Sequence, residues 1–433
     1  MAQYRKDKHE YLADGKTVFE TVMLADIYGN AIGAANPSGM AVDAFGRARV
    51  SQPLTLFDSF HRYQDNGKIS TSNSATGATV SHNANAGLIE CTLDTTSGSF
   101  IKRESSRVFS YQPGKSLQIL ETFVLSPAKA NLRQRYGYFS TQNGIFLEVD
   151  GTTVQFVERS YSTGSVVETK VTQANWNVDK LDGTGPSRLT LDLTKAQIMF
   201  IDIEWLGLGS VRCGFVINGN FIHCHSFHHA NFITSTYMTT ACLPVRAEIE
   251  NTGTTASNST LKVVCVSVLS EGGYELRGKP RTIGNGINSL VTLTTANTYY
   301  PLQSIRLKST HLDGVVIPKN ISVLGTSNTT RYKYAIISGA TIAGAVWTSI
   351  GTDSCVEYNS NSSATMSGGT ELFSGFFTVS NQSAPDIALD SGTFKYQLER
   401  NSFTNTAFSF TLAIMGASNS DTALGSIDWE EVT

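Results

Sequence analysis

Residues 211–227 read VRCGFVI, Asn218-Gly219, FIHCHSF after Asn220: two alternating apolar and polar runs around an Asn-Gly pair. Asn-Gly is favoured where both central residues of a two-residue turn take positive φ, so this stretch predicts a β-hairpin. In such a hairpin Ile217 faces Asn220, Phe215 faces Ile222 and Cys213 faces Cys224 on one side, while Gly214 faces His223 and Arg212 faces His225 on the other. One face is core and the other is wetter.

Working outward, residues 117–125, 136–140, 145–149, 153–159, 197–205 and 261–269 repeat the short alternating pattern. That spacing predicts a β-sandwich over residues 106–270. Residues 271–288 (EGGYELRGKPRTIGNGIN) have the composition of a linker, or of a strand that changes sheets. Beyond them SLVTLTT, YKYAIISG, ELFSGFFTVS and AFSFTLAIMG predict a second β-sandwich over 289–433. Residues 1–105, rich in Gly, Asn and Ser, read as an extended arm with apolar anchors at Phe45, Leu54, Phe57 and Phe60, ordered by lying on another surface. Helix is expected at most for a turn or two near 126–132. A chain of 433 residues is too long for one core, which fits a division into domains.

Charged residues make up 16% of the chain, their usual place taken by Ser, Thr, Asn and Gly, a balance that favours strands and turns. A formal net charge of −3 gives no general attraction to phosphate backbones, so nucleic acid is not an expected partner. No leader and no apolar run of spanning length is read, so the chain is expected to be made in cytoplasm without membrane insertion. Six scattered cysteines without a C-x-x-C pair read as small buried hydrophobes.

Several long motifs carry a resemblance: DAFGRARVSQPLTLFDS (43–59), NWNVDKLDGTGPSRLTLD (175–192), IDIEWLGLGSVRCGFVINGNFIHCHSFHHAN (201–231) and LPVRAEIENTG (243–253). Together they resemble virion-associated structural proteins of tailed bacteriophages, with relatives in some large DNA viruses. The resemblance covers about half of the chain. It implies a lectin-like jelly roll in the central domain and a place in the virion, decorating the capsid or forming a head fibre. The other reading it leaves open is a carbohydrate-binding adhesin of the tail or baseplate. Self-association as a homotrimer, contact with capsid or tail proteins and contact with host surface glycans are the partners expected. Interlocked trimers suit particle symmetry and cover sheet edges.

Three constellations bear on chemistry. His223, His225 and His228 in FIHCHSFHHAN offer imidazoles to a metal ion, against a plainer reading as a polar strand face; no cofactor is expected. Glu148 with Asp150 and Asp202 with Glu204 place two carboxylates on one strand face, as a glycosidase requires, but the third acid of laminarinase-type runs is missing after Asp150. The chain is therefore expected not to be an enzyme. Trp176, Trp205, Tyr136 and Tyr138 could stack on sugar rings, core packing being the commoner fate of such residues. Asn177, Asp179 and Asp182 carry oxygen ligands suited to calcium, with a polar turn as the plainer reading.

Overall fold

The computed structural model describes residues 53–65, 67–273, 275, 277–327, 331–379 and 396–432, with the backbone of 386–388. The anchor Phe45 lies outside these residues. Strands dominate throughout; among the described residues the helical content is one short 3-10 turn, Gln173–Asn175, and no helix is long and apolar enough to cross a membrane. The chain is all-β, and its first part is a jelly-roll sandwich.

Residues 54–271 form two antiparallel sheets packed face to face. One runs, in spatial order, Asn220–Phe227, Val211–Ile217, Gln197–Ile203, Ser116–Val124, Ser259–Glu271, Leu88–Leu93 and Ala78–Asn83, with Leu54–Phe60 also paired to Ser259–Glu271. The other runs Val167–Thr172, Thr153–Ser160, Gly144–Asp150, Leu132–Phe139, Val245–Asn251, Phe100–Ser105 and Ile69–Asn73. Alternation sends Ile119, Phe123, Met199, Ile201 and Phe215 of the first sheet against Tyr136, Ile145, Leu147 and Phe156 of the second, making one continuous core.

The predicted hairpin forms around Asn218 (φ 53°) and Gly219 (φ 78°), both in the left-handed region that this turn needs. Its register holds from Ile217↔Asn220 to Gly214↔His223 and then slips, so that Cys213 faces His225 instead of Cys224. The cause is a bulge at Cys224, whose carbonyl accepts from the backbone N–H groups of Val178 (3.0 Å) and Asp179 (3.1 Å) of a separate segment.

The arm needs correction. Residues 54–105 are not an extended anchor but supply Leu54–Phe60, Ile69–Asn73, Ala78–Asn83, Leu88–Leu93 and Phe100–Ser105 to the two sheets of the sandwich. Their sequences, such as ATVSHN and LIECTL, are half-buried strands whose pairing partners lie up to about two hundred positions away, for example Leu54↔Ser270. Phe57 is buried and packs on Phe109 at 4.8 Å inside this same domain, whereas Leu54 and Phe60 are exposed. The expected helical turn is also absent: Ser126 instead exchanges two hydrogen bonds with the Gln134 side chain (2.8 and 2.9 Å).

The second sandwich packs a sheet of Lys279–Gly284, Asp421–Val432, Val315–Gly325 and Asp386–Ala388, with Val291–Leu293 beside Asp421–Val432, on a sheet built around Tyr300–Leu307, Phe410–Gly416 and Arg331–Ser338. Lys279–Gly284, placed by sequence in a linker, is thus an edge strand of this domain. The segment 396–400 ties the sandwiches together. Gln397 donates to the Val108 carbonyl (2.9 Å), Arg107 to Glu399 (2.8 Å), and the Arg400 backbone N–H to the Ser106 carbonyl (2.8 Å).

Candidate functional site

The outward face of the second sheet carries the first carboxylate of the glycosidase-like pair. Glu148 is fully buried and accepts from Arg135 Nε (2.6 Å), Gln155 Nε2 (2.7 Å) and Lys170 Nζ (2.7 Å). Burial alone would push its carboxyl up, but Lys170 and Arg135 outweigh burial and hold it below the ordinary range. A general acid needs the opposite shift. Its supposed partner Asp150 is exposed at the end of the strand, and Asp202 is engaged by Arg212.

The histidines do not assemble. The bulge at Cys224 sends His223 to the Gly214 face and His225 to the Cys213 face, so the two rings expected side by side lie on opposite faces. His223 Nε2 meets Ser226 Oγ (2.9 Å), His225 packs edge-on to Phe227 (4.6 Å), and His228 meets Ser210 (3.1 Å). Among the described residues no group of three His, Cys, Asp or Glu side chains could hold a metal ion. Asn177 is taken up by the Ser226 backbone of the neighbouring strand, and the two acids are consumed in turns: Asp179 accepts from the N–H groups of Leu181 (2.9 Å) and Ser187 (2.7 Å), and Asp182 from Thr184.

The neighbouring His229, of the same histidine run, is more informative. Its Nδ1 lies 2.5 Å from the Gly209 carbonyl and its Nε2 2.7 Å from Glu158 Oε2, with Tyr237 stacked on the ring at 3.9 Å. A carbonyl and a carboxylate only accept, so both ring nitrogens carry protons. Burial would push this imidazolium down, but the bond and charge of Glu158 and the Gly209 carbonyl outweigh it and raise His229 above its ordinary 6.5. Stability from the raised group is complete below the unfolded value and is lost as pH rises through the folded one. Thermal unfolding of wild type and His229→Gln across about pH 6 to 9 is therefore expected to show a wild-type advantage that shrinks towards the alkaline end. A gap that stays constant with pH would contradict the charged state.

Of the four aromatic platforms, three are core. Trp176 is 2% exposed and stacked on Phe156 (4.6 Å), Tyr136 packs on Phe123 (4.6 Å), and Tyr138 is fully buried with its hydroxyl on the Phe109 and Ala241 carbonyls. Trp205 is the exception. It is half-buried at the junction of the two sandwiches, 6.3 Å from the Tyr111 ring in an edge-on arrangement, and its indole N–H has no hydrogen-bond partner among the described residues. Both rings line a cleft of about 780 Å³. Lys115 joins them from the first domain, and Arg277, His311 and Asp313 approach from the other side. An aromatic wall with a few convergent polar groups is the usual composition of a small-molecule site. Sequence could name Trp205 but not its companions, since about two hundred positions separate Tyr111 from His311 and no local pattern joins them.

No protein-family profile matches the sequence, and no curated protein matches it. Solved structures do. The carbohydrate recognition domain of Emp47p is 10% identical with a TM-score of 0.30, covering 51% of this chain and 97% of that one. Peanut lectin is 12% identical with a TM-score of 0.30, covering 51% and 98%. A protein of unknown function from Shewanella oneidensis is 11% identical with a TM-score of 0.33, covering 51% and 89%. At these identities and scores the likeness carries no information about a ligand.

Proposed function

We propose that the chain is a non-catalytic structural protein of a tailed-virus particle, and that its interdomain cleft is a contact site for surface glycans. The observation that carries the second part is the contrast between the two sets of candidates. The carboxylate Glu148 is locked in ion pairs and held low, Asp202 is paired with Arg212, and the one partly exposed aromatic of the expected set lines an open cleft with a few polar groups. Sugars present C–H faces to aromatic rings and hydroxyls to polar groups, and Trp205 with Lys115, Arg277, His311 and Asp313 offers both. The place in a virion is supported by the motifs at 43–59 and 175–253. Assembly as a trimer, attached to capsid or tail proteins, belongs to the same proposal.

Two experiments test it. Electron cryo-microscopy of the particle is expected to show density of this size in symmetric copies on the head; density at the tail alone moves the adhesin reading first, and density at neither place removes the virion reading. A glycan array is expected to give binding that Trp205→Ala abolishes while the fold is retained. Binding unaltered by that substitution would take the cleft out of the proposal, and enzymatic cleavage of any bound glycan would overturn its non-catalytic part.

A further inference from the structure

Glu121 lies inside the sandwich, in the middle of Ser116–Val124, with Met199 and Val266 as its register neighbours. It is 1% exposed, and among the described residues neither carboxyl oxygen has a hydrogen-bond partner. Of the other buried polar atoms without a partner among the described residues, Ser59 Oγ and Arg103 Nε belong to residues beside it. All three residues line one cavity of about 20 Å³, together with His61 and Tyr136. Three unpartnered polar groups gathered on one small cavity carry a desolvation cost that a bridging partner would remove.

The surrounding charges define what the cavity accepts. Arg103 gives its two terminal nitrogens to Asp65 (2.9 and 2.5 Å) and one of them also to Thr71 (2.8 Å), so its charge is answered and only Nε is left over. Arg246, which also borders the cavity, is answered by Glu104 and Glu248. Burial, with Arg103 beside it, pushes His61 down to about 4, and burial pushes Tyr136 and Cys265 up. Those three groups are neutral around pH 7. Burial likewise raises Glu121 well above its ordinary value. The cavity therefore suits a small neutral ligand that both donates and accepts. A metal cation would meet Arg103 and an uncharged acid, and an anion would find no unanswered positive charge. A water molecule occupies roughly 10–15 Å³ by this measure and needs two to four polar partners.

We propose that the cavity is a built site for one water molecule, bound between the Glu121 carboxyl group, the Ser59 hydroxyl and Arg103 Nε. The water accepts from Arg103 Nε–H and from the Glu121 O–H, and it donates to Ser59 Oγ. Because Arg103 also holds Asp65, the site links the segment 61–65 to the middle of the core. No proton leaves the site; the acid and the water share a hydrogen bond.

A high-resolution crystal structure of the full chain is expected to show one density peak within hydrogen-bond distance of Glu121, Ser59 and Arg103. A dry cavity would overturn the proposal. The infrared spectrum at neutral pH is expected to carry a carboxylic-acid carbonyl band that Glu121→Gln removes, and a spectrum unchanged by the substitution would overturn it too. A pH series of thermal unfolding gives a third readout. An acid raised in the folded state contributes stability that is complete below its unfolded value of 4.5 and is lost as pH rises through the folded value. Glu121→Gln is thus expected to match wild type at acid pH and to gain on it steadily as pH rises. Parallel curves would show that Glu121 is ionised in the fold and would sink the neutral site.

Discussion

Glu104→Gln is expected to destabilise the protein by about 3–5 kcal/mol, the usual cost of breaking a buried ion pair from one side. Glu104 is 2% exposed and serves two cations at once: Oε2 accepts from Arg246 Nη1 (2.7 Å), and Oε1 faces Arg400 Nη2 (2.9 Å) while accepting from Ser402 Oγ (2.6 Å). Arg246 retains Glu248 (2.7 Å) when Glu104 is neutralised. Among the described residues Arg400 forms no second ion pair, Asp313 acting on it only through charge, and it is buried against the Ser105 carbonyl (2.7 Å). The loss therefore falls on the segment that joins the sandwiches. Denaturant unfolding followed by tryptophan fluorescence reads both halves, since Trp176 and Trp205 lie in the first domain and Trp347 and Trp429 in the second. The expected result is a lower midpoint with earlier exposure of the second pair's environment. A variant within about 0.5 kcal/mol of wild type, the range of an ordinary surface change, would refute the clasp. Replacing Glu104 and Arg400 together by apolar residues is expected to recover part of the loss, because no buried charge is then left alone.

The strands that sequence placed well are those whose inward residues are large and apolar. Residues 117–125, 145–149, 153–159 and 197–205 match Ser116–Val124, Gly144–Asp150, Thr153–Ser160 and Gln197–Ile203 because Leu, Ile, Phe and Val alternate there against one core. Ile69–Asn73 (ISTSN) and Ala78–Asn83 (ATVSHN) gave no such signal, being edge strands of small and polar residues with few large apolar side chains to alternate. The bulge at Cys224 was illegible for a different reason: it is imposed by Val178 and Asp179, which no local pattern around 224 reveals. That single slip undid the metal reading. The aromatic reading failed at Trp176, Tyr136 and Tyr138 because alternation tells which face a side chain takes but not which of two faces is covered. Trp205 lies just past the end of Gln197–Ile203, where the alternation stops, and of the four expected aromatics it is the one that reaches the cleft.

Trp176→Ala is expected to cost about 3–5 kcal/mol, as truncation of a large buried aromatic does. Stacking on Phe156 at 4.6 Å and an Nε1 bond to the Val171 carbonyl (3.2 Å) fix Trp176 immediately after the edge strand Val167–Thr172 of one sheet. The residues that follow it then run along Asn220–Phe227, the edge of the other sheet. The N–H groups of Val178 and Asp179 reach the Cys224 carbonyl, and the Asn177 side chain both donates to the Ser226 carbonyl and accepts its N–H (2.9 Å each). The NWNVD stretch is thus an edge cover, with Trp176 as its pin. Losing the pin frees backbone groups on an edge strand, so self-association on warming is expected beside the lower midpoint. Trp205→Ala makes the informative contrast, since its ring borders the cleft and its N–H has no partner to lose. Thermal unfolding with light scattering should separate them: a large loss and aggregation for Trp176→Ala, a small change for Trp205→Ala. If the two variants lost stability equally, Trp205 would have to be counted as core, and the cleft would lose the residue on which its glycan reading depends.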